Sequence, residues 1–149
     1  MLPVTPESVR LSLHILAAGI WVGGQLVLGG LIPAVRPAGP ERIRAVAQAF
    51  QRIAWPAFAV AVLTGVWNLA AISAADEARA WWTTLLVKLA LVAASGVAAA
   101  LHVLVLGPAV RRAPDAAARR RAAIGSGICE GVSVLSGLAA LFLGVVLAG

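Results

Sequence analysis

The chain has 149 residues, 61% of them hydrophobic and only 12% charged, with a mean hydropathy of +0.95. Soluble domains carry about 25% charged residues, so composition excludes a water-soluble globular enzyme. A single cysteine, Cys129, excludes an intramolecular disulfide framework.

Four apolar runs cover residues 11–35, 53–73, 81–106 and 124–148. Each reaches the ~20 residues that a helix needs to cross a ~30 Å hydrocarbon core. They leave little sequence for anything else, so the expected fold is all-α. It is a single transmembrane domain over residues 1–149, an up-down four-helix bundle with short loops. The bilayer core offers no water to open backbone groups, and this is why the spans should be helical.

The first run is preceded by "TPES", where Thr5 reads as the N-cap and Pro6 as the first helical residue. It lacks a basic leader and exceeds the ~7–15 residues of a signal core, so it reads as a span and not as a cleaved signal. Within it, His14, Trp21 and Gln25 are spaced seven and four apart, so they share one face. The breaker "RPAGP" separates the first two helices, and Arg42 to Arg52 should extend the second toward its basic loop. In that second helix Thr64 and Asn68 share a face, and Pro56 is placed to kink it. Trp81 and Trp82 mark the headgroup level of the third helix. Lys88, Ser95 and His102 then follow at intervals of seven, again on one face. The fourth helix carries Cys129, Glu130 and Ser133 close together. Gly19 with Gly23, and Gly127 with Gly131, are small-xxx-small pairs of the kind that allow close helix contact.

The net charge of +6 is concentrated in two loops. Arg36, Arg42, Arg44 and Arg52 flank the first breaker, and Arg111, Arg112, Arg119, Arg120 and Arg121 lie between the last two spans. Glu41 and Asp115 are the only acids there, whereas Asp76 and Glu77 lie in the other loop. Basic loops stay cytoplasmic, so both termini and the Asp76 loop should face outward. The charge is a topology signal beside anionic headgroups, and nucleic acid is not an expected partner.

Ionisable groups inside a membrane are costly and normally face a bundle interior. Trp21, Gln25, Thr64, Asn68, Lys88, Ser95 and Ser133 are therefore read as a polar seam, and His14, His102, Cys129 and Glu130 as candidate metal ligands. His14 and His102 should lie roughly 25 Å apart along the membrane normal at ~1.5 Å per residue, too far to share one haem iron. There is no GxGxxG, P-loop, HExxH or nucleophile elbow, and no catalytic residue is assigned. With Met1 as the only further soft donor, a metal site would be sparse and suited to transient handling.

"LHILAAGIWVGG", "LTGVWN", "LLVKLALV" and the glutamate in "ICEGVSVLSG" resemble the membrane domain of the copper resistance protein D (CopD) family. The resemblance implies a bacterial inner-membrane protein of copper movement or tolerance, with copper as the metal and His14, Trp21, Lys88 and Glu130 as the family-like positions. A periplasmic copper-binding protein is the partner it suggests. The "LH" start and the Lys88–His102 pattern are also similar to the HemJ-type protoporphyrinogen oxidase family. That likeness implies a haem-binding redox protein or porphyrin-oxidising enzyme. A third reading is a helical membrane subunit, homo- or hetero-oligomeric, whose seam serves packing.

Overall fold

The computed structural model describes residues 4–71 and 78–148. Met1, the last two residues of the second apolar run and the Asp76 and Glu77 pair lie outside the described residues. Every regular element is helical among those described, and four helices are long and apolar enough to cross a membrane. The chain divides into two compact units, Met1–Asp76 and Glu77–Gly149, each built around a helical hairpin.

In the first unit α1 (Pro6–Val35) starts where the capping residues place it. Ser8 N–H donates to Thr5 Oγ1 at 3.1 Å, and Thr5 N–H donates back to Ser8 Oγ at 3.0 Å. Two of the orphan donors at the helix start are thereby satisfied. At ~1.5 Å per residue its 30 residues span about 45 Å, more than the hydrocarbon core. It ends in a 3-10 turn, Arg36–Ala38, followed by Gly39 at φ +92°, a conformation that side chains with a Cβ rarely adopt. Pro40 then supplies the fixed φ that opens α2 (Pro40–Ala70). His14 meets Thr64 and Gly24 meets Phe50, so the two helices run antiparallel.

Their contact is an aromatic cluster. The Trp21 ring lies 4.4 Å from Phe58 and 5.3 Å from Trp55, and Trp55 meets Phe58 edge-on at 6.1 Å. Such tilted arrangements suit the ring quadrupoles. The Phe50 ring occupies the space that a side chain on Gly24 would need.

The second unit pairs α3 (Arg79–Ala100) with α5 (Ala116–Ala148). α3 continues without a break through a π-helical segment, Leu101–Leu106, into α4 (Gly107–Arg112). Pro108 accounts for the π-helical segment. It has no N–H to give Leu104, and its ring would clash with that carbonyl in a regular helix. Widening the turn by one residue relieves the conflict, and Gly107 N–H donates to His102 O five residues back. Lys88 with Gly144, Ser95 with Ser133 and His102 with Ser126 define an antiparallel register. Ser95, Gly96, Ala98 and Ala99 are buried on α3, and Ser133 and Ala140 on α5, so this hairpin packs through small residues.

The expected glycine pairs are not where the helices approach. A methyl group on Gly19, Gly23, Gly127 or Gly131 would meet open space, whereas Gly24, Gly65 and Gly144 carry the close contacts. Large apolar side chains face outward instead, including Leu16, Leu63, Leu104 and Phe142. Lipid is the solvent that makes such a surface stable.

Candidate functional site

Each hairpin holds one histidine, and each histidine is fixed by the opposite helix. In the first, His14 Nδ1 lies 2.9 Å from Ala61 O and 3.0 Å from Thr64 Oγ1. A carbonyl can only accept, so Nδ1 carries the proton and Nε2 carries the lone pair in the neutral ring. The Thr64 hydroxyl gives its own proton to Val60 O at 2.6 Å and is left to accept from the imidazole. Gly65 sits under the ring, where a Cβ would stand 3.2 Å from His14 Cε1.

The second hairpin repeats this arrangement with different residues. His102 Nδ1–H donates to Ser126 O at 3.0 Å, with Ser126 Oγ also at 3.0 Å. Its Nε2 points toward Glu130, whose Oε2 is 3.8 Å away. That separation is too long for a hydrogen bond. Ser126 and Glu130 are four residues apart on α5, which places both over the same imidazole. A ring nitrogen fixed by a backbone carbonyl, with the other nitrogen presented outward, is how histidine metal ligands are normally oriented.

The remaining seam residues fall as follows. Gln25 is buried and donates from Nε2 to Trp21 O at 3.0 Å, one turn back on its own helix. Ser95 and Ser133 are the most enclosed polar side chains described, at 1% and 0% exposure, and Ser95 Oγ donates to Ser133 O at 2.8 Å. Lys88 lies against Gly144, its Nζ 3.0 Å from where a Cβ on that glycine would be. Cys129 is partly buried with a free thiol. Among the described residues no three of His, Cys, Asp and Glu gather into a set that could hold a metal ion. Of the four candidate ligands, His102 and Glu130 meet as a pair.

One residue was missed from sequence. Arg10 stands four positions before His14, on the same face of α1, and its Nε is buried without a hydrogen-bond partner. Asn68, four positions beyond Thr64 on α2, has a buried Oδ1 in the same condition. Spacing by four from His14 was the available signal.

The sequence profile of the copper resistance protein D family matches residues 44–148, well over half of the chain. The match takes in "LTGVWN", "LLVKLALV" and "ICEGVSVLSG", and therefore Lys88, His102 and Glu130, while His14, Trp21 and Gln25 precede its first residue. Neither the curated proteins nor the solved structures contain a match. With four membrane-length helices and a family match over most of their length, this chain is a multi-pass membrane protein belonging to the copper resistance protein D family.

Proposed function

We propose that the protein handles copper in a bacterial inner membrane, taking the ion as cargo between His102 and Glu130. The observation that carries this reading is the 3.8 Å between His102 Nε2 and Glu130 Oε2. Imidazole and carboxylate bind first-row ions at about 2.0–2.2 Å, so two such bonds in a shallow bend span a gap of this size. Imidazole suits copper, and the Glu130 carboxylate supplies negative charge beside a cation. Two protein ligands make a weak site, which favours release as much as capture. His14, held through Nδ1 by the Ala61 carbonyl in the first hairpin, is the second imidazole in this reading, whereas Cys129, one residue from Glu130 and so on a different side of α5, does not complete a three-ligand set.

The test is copper accumulation and tolerance in cells expressing His102→Ala, Glu130→Gln or His14→Ala at normal membrane levels. Each should shift both quantities, and Cys129→Ser should shift them less. Wild-type behaviour of His102→Ala and Glu130→Gln in folded, inserted protein would refute the assignment. A visible-absorption spectrum with no Soret band is the expected companion result.

A further inference from the structure

The tip of the second hairpin carries charge that nothing in its own unit neutralises. α4 ends on Arg111 and Arg112, a short turn follows, and Arg119, Arg120 and Arg121 lie in the first two turns of α5. All five are exposed. The single acid among them, Asp115, is committed to the turn: its Oδ1 accepts from Ala118 N–H at 2.7 Å and its carbonyl from Arg119 N–H at 3.0 Å. Among the described residues no arginine is in an ion pair.

The placement is unfavourable for the helix itself. Arg111 and Arg112 suit the C-terminal end of α4, but three arginines at the start of α5 face the positive end of its dipole. Side chains on a helix lean toward its N-terminus, so these guanidinium groups reach back over that end. Like charges in one turn add to the cost. An external anion at this end would offset that cost.

Position identifies the anion. The stretches Arg79–Arg112 and Ala116–Leu147 are both long and apolar enough to cross a membrane, and the five arginines lie where these two spans meet the turn. Long arginine side chains keep their stems along apolar surface and their heads at headgroup level. All five are Arg, whose planar fork matches phosphate oxygens two at a time, where a lysine would offer a point charge. We propose that the hairpin tip formed by Arg111, Arg112 and Arg119–Arg121 is a binding site for the phosphate groups of anionic phospholipid. This role is separate from copper handling and does not depend on it.

The test uses the full chain in neutral detergent, titrated with phosphatidylglycerol or cardiolipin, with phosphatidylcholine and inorganic pyrophosphate as separate arms. Thermal unfolding and bound-lipid mass spectra are read together. Anionic lipid should raise the unfolding midpoint by several degrees and remain bound, whereas phosphatidylcholine and pyrophosphate should not. The R119Q/R120Q/R121Q variant should bind anionic lipid about 100-fold more weakly, from roughly fivefold per arginine at an anionic surface. Its unfolding midpoint without lipid should equal or exceed that of the parent, because repulsion at the α5 start is removed. Equal binding of phosphatidylcholine, or unchanged anionic-lipid affinity in the variant, would overturn the proposal. The first outcome would leave the patch to an acidic protein partner. Pyrophosphate acting as well as lipid would also overturn it, in favour of a soluble phosphate ligand.

Discussion

Replacing Gly65 tests how tightly His14 is fixed. A methyl group at that position would stand 3.2 Å from His14 Cε1 and 3.7 Å from Nδ1. Ordinary contacts between carbon atoms begin near 3.5 Å, so the ring must retreat by a few tenths of an ångström. Its two bonds, at 2.9 and 3.0 Å, would lengthen toward the limit of useful hydrogen bonding. Interhelical hydrogen bonds in membranes contribute about 0.6 kcal/mol on average, so Gly65→Ala should cost below about 1 kcal/mol. Gly65→Leu cannot be absorbed that way, because it displaces the imidazole, and overpacking of this kind costs roughly 1–3 kcal/mol. Thermal unfolding of the purified protein in lipid nanodiscs measures the stability. The imidazole 15N spectrum, recorded in a His102→Ala background so that only His14 reports, measures the tautomer. Gly65→Ala should keep the Nδ1-protonated form, and Gly65→Leu should lose it. If Gly65→Leu unfolds like the parent with an unchanged His14 spectrum, the ring does not rest on Gly65 and the account of its orientation is wrong.

Ser95→Ala should be mild, losing the hydroxyl's contacts with Ser133 O and Oγ, whereas Ser95→Leu should separate α3 from α5 and lower the unfolding midpoint clearly; equal effects would refute small-residue packing. Pro108→Ala restores an N–H at position 108 and should let the π-helical segment relax toward a regular helix, weakening Ag⁺ binding (a redox-stable stand-in for Cu⁺) about 10-fold with little change in stability, a result read by calorimetry. For topology, single cysteines at Val4 and Ala117 in a Cys129→Ala background should react with an impermeant thiol reagent at position 4 and not at position 117 in spheroplasts. The reverse pattern would invert the orientation.

The spans and the first cap were legible because they depend on properties a sequence states directly: run length, and a Thr–Pro start with Ser8 three residues after the cap. The polar faces were legible for the same reason, since spacings of four and seven fix a common side. Which face meets which residue was not. Nothing in the sequence pairs His14 with Ala61, because the acceptor is a backbone carbonyl, and alanine carries no sign of that role. The π-helical segment at Leu101–Leu106 was equally hidden. Pro108 was not among the breakers read from the sequence, and a proline alone does not tell whether a helix will bend, break or widen. Glycine misled for the opposite reason: the GxxxG spacing occurs twice, yet the close contacts fall on isolated glycines chosen by the neighbour that presses on them.

The use of main-chain carbonyls to orient both imidazoles has a consequence for how this protein can change over time. A side-chain partner can be deleted by one codon, but the carbonyls of residues 61 and 126 persist whatever side chain those positions carry. As long as each helix pair keeps its register, the direction of the histidine lone pair is inherited from helix geometry. The surrounding residues are then free to drift among small and apolar types. Mutational scanning should accordingly find positions 61 and 126 sensitive to residue size and tolerant of chemistry, in contrast to the histidines, Gly65 and Glu130, whose identity the site requires.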